Sequence, residues 1–216
     1  GHDGPEADLV ARLHRFIAQP ATFAVPNKKA AYELTHIVFY LSNYGAEVLE
    51  LPEEALTSLE YAGLLAYLDQ DIDLLAEVCV AQRFAGQTPS VIWEDWLSQQ
   101  AAGFVLRPGS GSPLADAYHE YLVTSWWAHH VGGTCFPGTP PEGSLEIIRH
   151  GARRGPLRAI SEYLFHLGRS RRRDWDAMQP ALSGVLDPEA DHILQDAALS
   201  TPHFGVFFEG FARADA

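Results

Sequence analysis

A chain of 216 residues with 47% hydrophobic and 20% charged residues is long enough to close one good-sized core, which excludes a largely disordered protein. Fifteen basic against twenty-eight acidic residues leave a net charge of −13, which disfavours general nucleic-acid binding. No apolar run approaches the ~20 residues that a bilayer span needs, so no membrane segment is expected.

In chain order, Pro5 to Gln19 reads as a peripheral amphipathic helix within an N-terminal section 1–20. Leu9, Leu13, Phe16 and Ile17 share a face, Pro5 suits the first turn and Pro20 the stop. Asn27 is placed to cap a helix over Lys29 to Gly45, the stretch around which the other helices are expected to pack. Its pattern carries a polar stripe, with Glu33, His36 and Tyr40 at i, i+3 and i+7. Helices follow over Pro52 to Leu68, from Asp69 or Gln70 to about Ala85, and from Thr88 to Gly103. Their short links make consecutive helices antiparallel neighbours.

Arg107 to Pro113 is a polar, turn-rich loop. Leu114 to Val131 then reads as a helix with unusual contents: His119, Trp126 and His130 lie at i, i+7 and i+11, flanked by Tyr118. A short helix around Leu145 to Arg153 is expected next, then helices over Pro156–Gly168, Arg171–Ser183 and Pro188–Leu199. The aromatic tail 201–216 should dock on the core. With almost no period-two segment between turn signals, the fold class is all-α, built of antiparallel helical hairpins as a bundle or a partial α/α barrel, in a single domain 1–216.

Cys79 and Cys135 stand far apart and outside any C-x-x-C pattern, so free thiols are expected. Gly1-His2 reads as a cloning remnant, and no signal-peptide pattern follows it; the expected location is cytoplasmic. Residues 144–175 hold eight arginines against three acids, a basic island suited to a small anion or an acidic protein partner.

Several clusters carry possible chemistry. Glu33-x-x-His36 is only half of a di-iron motif, which needs two such copies and two further glutamates. It suits an acid/base pair in a cavity, or a histidine satisfied within a polar core. Asp69-x-Asp71-x-Asp73 lacks the glycine and glutamate of a calcium loop, since Leu74 and Val80 stand at those places. The ordinary account is a cluster of acids at a helix N-terminus; the alternative is that Asp71 or Asp73 faces the cavity as a base. Asp73 and Glu77, at i and i+4, need something positive between them, and Arg83 or a substrate ammonium would serve. No metal and no cofactor is expected.

The phrases YELTHIVFYLSNYG, LLAYLDQDIDLLAE and YHEYLVTSWWA resemble a family of helical actinobacterial proteins that occur with natural-product pathways, over residues 30–131. The resemblance rests on Thr35-His36 and Tyr118-His119; Glu120-Tyr121 stands where that family has smaller residues. It implies a tailoring step on a small metabolite, free or carrier-bound, with ring closure among the candidates. The expected function is therefore cofactor-independent acid/base chemistry, such as intramolecular cyclisation or substitution. His36, His119, Glu33, Asp71 and Asp73 are the catalytic candidates; Tyr40, Tyr118, Trp126, His130, Arg153 and Arg158 are the substrate-binding ones. A non-catalytic partner subunit of a biosynthetic complex is the second reading, and a metal-dependent enzyme the third.

Overall fold

The structure, a computed structural model, describes residues 5–109 and 117–213. Among them are eleven α-helices and one two-stranded sheet, an all-α protein. The first half holds α1 (Pro5–Ile17), the short α2 (Pro20–Phe23), α3 (Lys28–Leu41), α4 (Glu53–Asp69), α5 (Ile72–Phe84) and α6 (Val91–Ala101). After β1 (Phe104–Pro108) come α7 (Tyr118–His130), β2 (Leu145–Arg149), α8 (Leu157–Leu167), α9 (Trp175–Ser183), α10 (Pro188–Leu199) and α11 (Phe204–Ala212). No helix among the described residues is long and apolar enough to cross a membrane.

The central helix is α5, and this corrects the expectation that the rest packs around α3. Ile72, Leu74, Leu75, Ala76, Val78, Cys79, Val80 and Ala81 are all buried, because α5 is walled by α3, α4, α6 and α7. A helix apolar on nearly every side can only sit inside such a ring. By contrast α3 buries one face, through Ala30, Leu34, Val38 and Phe39, and turns Glu33, His36 and Tyr40 outward. One contiguous core runs from Ile17 to Ala212.

Local signals set the helix ends. The Asn27 side chain accepts a hydrogen bond from the Ala30 amide at 3.1 Å, and that of Asp71 from the Leu74 amide at 3.2 Å. Between α4 and α5 only Gln70 and Asp71 intervene, so the two helices return side by side. At the centre of α4, Gly63 seats the fully buried Trp93: a Cβ there would lie 2.5 Å from the indole ring. The aromatic segment Phe204–Ala212 forms helix α11, with Phe204, Phe207, Phe208 and Phe211 buried; Phe207 meets Tyr61, and Phe204 and Phe208 meet Trp175.

The helix expected around Leu145 to Arg153 is not formed. Residues 145–149 instead pair antiparallel with 104–108, Phe104 opposite Arg149 and Leu106 opposite Ile147. Ile147 and Ile148 are β-branched, and a segment of only five residues, Leu-Glu-Ile-Ile-Arg, does not reveal its period until a partner strand is known. Of the turn-rich loop expected over Arg107 to Pro113, Arg107 and Pro108 belong instead to β1, where they pair with Glu146 and Leu145, and 110–113 lie outside the described residues. Both cysteines are free, Cys79 buried and Cys135 partly so.

Candidate active site

The first turns of α5 bring the acidic cluster to the surface between α3 and α7. Asp71 is spent as the helix cap, and Lys28 bridges it to Asp69 at 2.9 and 2.7 Å. Partial burial works against the lysine's charge, but the hydrogen bonds it donates to both carboxylates, together with their charges, outweigh it and raise its pKa. Two residues on, the register turns Asp73 toward the neighbouring helices, and Glu77 follows it one helical turn later.

Each of these acids is held from two sides. Tyr32 of α3 donates its hydroxyl to Asp73 Oδ2 at 2.8 Å, while Asp73 Oδ1 lies 2.8 Å from Nδ1 of His119 on α7. Thr35 of α3 lies 2.5 Å from Glu77 Oε2, and His36 Nε2 stands 3.6 Å from Glu77 Oε1, too far for a hydrogen bond. His36 and His119, from distant parts of the chain, thus flank one carboxylate pair. Glu77 is only 3% exposed, whereas the side chains of His36 and His119 are 64% and 56% exposed. The two imidazoles are thus largely open to solvent, while the acid between them is buried.

Burial pushes the Glu77 carboxyl up, against the pull of the Thr35 hydroxyl and His36; the charge of Asp73 adds to the rise. The Thr35 hydroxyl also faces the Tyr32 carbonyl at 3.0 Å, and its single proton cannot serve both oxygens. Burial and the surrounding carboxylates raise Tyr32, which therefore stays a hydrogen-bond donor. Arg83, the cation anticipated between Asp73 and Glu77, is instead bound to Glu94, which also accepts from the Trp127 indole at 3.0 Å. The two imidazoles occupy its anticipated place.

Beside His36 runs a mostly apolar groove of about 540 Å³ between α1 and α3, lined by Leu9, Leu13, Phe16 and Ile37. Arg12, Glu33 and Tyr40 stand at its margin, and Arg12 pairs with no acid among the described residues. His36 lines the groove and stands beside Glu77, so the groove and the acid cluster adjoin.

The remaining sequence candidates scatter. Glu33 faces Lys29 at 3.7 Å on the outer side of α3 and is not among the groups around Asp73 and Glu77. Tyr118 is exposed beside His119, while Trp126 packs on Phe39 and Phe84. His130 lies against Phe84 and Trp126, its Nε2 buried without a partner. Arg153 is paired with Glu189 and Arg158 with Glu162, one helical turn away. Arg153 lines a polar cleft near α10, and Arg158 a small hollow on the far side of Lys28. The sequence candidates omitted Glu77, Thr35 and Tyr32, although the i, i+4 spacing from Asp73 pointed to Glu77.

Asp73, Glu77 and His119 form a set of potential metal ligands, one donor atom from each lying within 4.8 Å of the others. The same groups offer acid/base chemistry: two solvent-reachable imidazoles backed by carboxylates, one of them deeply buried.

The family model described as a domain of unknown function (DUF6902) matches residues 3–214, and the chain belongs to that family. No match is found among curated proteins or among solved structures.

Proposed function

We propose that this DUF6902 protein is an enzyme acting on a small molecule by acid/base chemistry at the Asp73, Glu77, His36 and His119 cluster. The observation that supports this reading is the meeting of His36 and His119 on either side of one carboxylate pair. A purely structural histidine has no need to remain open to solvent beside a buried acid. The substrate's apolar body would lie in the groove between α1 and α3, with its anionic group on Arg12, a cation at that groove that pairs with no acid among the described residues. This replaces Arg153 and Arg158 as the anchor, since both are engaged by glutamates elsewhere.

The reaction that suits such a site is an intramolecular cyclisation or substitution. His36 takes the proton from the substrate's nucleophilic oxygen or nitrogen as the new bond to carbon forms. The leaving group departs with the electron pair of the broken bond and takes a proton from His119, whose ring Asp73 holds at 2.8 Å. Orientation supplies much of the acceleration for such a step. On the resemblance to helical proteins of natural-product pathways, the step would be a tailoring reaction of a biosynthetic route, on a free or carrier-bound intermediate.

The test is turnover of a metabolite extract from the source organism, followed by mass spectrometry, with His36→Ala and Glu77→Gln proteins compared with the parent. Species consumed by the parent and untouched by both folded variants support the reading; identical profiles for all three sink it. A second role, docking of an acidic carrier or partner protein, is favoured by Arg172 and Arg173, which pair with no acid among the described residues and line an open cleft beside Trp175.

A further inference from the structure

We propose that Asp73, Glu77 and His119 bind one divalent first-row transition-metal ion, leaving His36 as the proton acceptor. This inference rests on the cluster being the working site. Three independent features of the side chains carry it.

The first is spacing. Donors bonded to one ion at about 2.0–2.4 Å stand no more than about 4.0–4.8 Å apart, even when they face each other across it. The donor atoms of Asp73, Glu77 and His119 all lie within 4.8 Å of one another, so an ion needs only small side-chain adjustments to be held.

The second is charge. Asp73 and Glu77 put two carboxylates on one face of α5, the second almost wholly buried. Neither is paired with a lysine or arginine among the described residues: Lys28 is held by Asp69 and Asp71, and Arg83 by Glu94. Their basic neighbours are imidazoles, which carry charge only when protonated. A carboxylate pair half removed from water calls for a compensating cation.

The third is the way each carboxylate is oriented. The Tyr32 hydroxyl holds Oδ2 of Asp73 and the Thr35 hydroxyl lies against Oε2 of Glu77, while Oδ1 and Oε1 face the histidines. Fixing one oxygen from behind and presenting the other is how outer groups aim carboxylate ligands. Both Tyr32 and Thr35 come from α3, so one helix aims both acids. The exposed imidazoles leave the outer side open to water or substrate, as a catalytic rather than a structural ion requires. One nitrogen with carboxylate oxygens suits manganese, iron or zinc; a hard-cation site would be built from oxygen alone.

The test uses the full chain, stripped with chelator and dialysed against Mn²⁺ or Zn²⁺, with bound metal measured by elemental analysis and Mn²⁺ also followed by electron paramagnetic resonance. The expected result is saturable binding of about one ion per chain. Asp73→Asn and His119→Ala should lose at least about 100-fold in affinity, and Tyr32→Phe, which removes no ligand, about 10–100-fold. Glu33→Gln, outside the cluster, should bind as the parent does. Circular dichroism and thermal melts in chelator establish that each variant folds. The inference is overturned by absence of saturable binding, or by binding that Asp73→Asn and His119→Ala leave unchanged. Turnover without metal binding would defeat the inference and leave the acid/base reading standing; metal binding without turnover would do the reverse.

Discussion

Replacing Glu77 by glutamine should make the protein more stable while abolishing its function. Glutamine keeps the length and shape of the side chain and can still meet the Thr35 hydroxyl, but it removes a charge that is 97% hidden from solvent, the residue being 3% exposed. With Asp73 no more than 4.8 Å away, repulsion between two ionised carboxylates is about 3.5 kcal/mol at an effective dielectric of ~20. Desolvation of the buried carboxylate acts in the same direction. Against these stand the attraction of two partly exposed imidazoles and the charge-assisted character of the Thr35 contact, together about 2–3 kcal/mol. The balance predicts a gain of about 1–2 kcal/mol, which for a chain of this size raises the melting temperature by about 2–8 °C. Urea and thermal unfolding near neutral pH, in chelator, measure it directly. A loss of more than about 1 kcal/mol would refute the reasoning, because Glu77 would then be holding the fold together.

Other substitutions test the fold around the site. Gly63→Ala pushes a methyl group into the Trp93 ring and should cost about 1–3 kcal/mol in denaturant unfolding. Phe207→Ala, which empties a fully buried place against Tyr61, should cost about 3–5 kcal/mol and release α11 to limited proteolysis. His130 has a pKa lowered from 6.5 by burial, with the charges of His129 and Arg83 adding, and it packs on Phe84 and Trp126. The unfolded chain therefore binds this proton more readily than the folded one. Its contribution to stability is complete above about pH 6.5 and is lost as pH falls through the lowered folded value; melts of His130→Phe across that range should lack this limb. Arg153→Ala, whose partner Glu189 lies outside the cluster, should leave metabolite turnover unchanged.

What was legible in the sequence depends on interactions within a turn or two of the chain. The helical period of most segments, the cap at Asn27 and the apolar character of α11 all follow from neighbours close in sequence, so the all-α class could be read directly, although the cap of α5 proved to be Asp71 and not Asp69 or Gln70. The i, i+4 relation of Asp73 and Glu77 is of the same kind, and so is the expectation that something positive must meet them. Tertiary packing decided the rest. Pairing of 104–108 with 145–149 joins segments far apart in the chain, and no local pattern announces it. Whether Asp71 or Asp73 enters the site is settled by one cap and a 100° step per residue around α5. Whether Glu33 or Thr35 does so is settled by which face of α3 lies on α5. Periodicity states that a face exists, but only the packed neighbour states what that face meets. His36 and His119, more than eighty residues apart, were each visible as polar groups on apolar helices; their meeting on one carboxylate pair was created by α3 and α7 closing on the same side of α5.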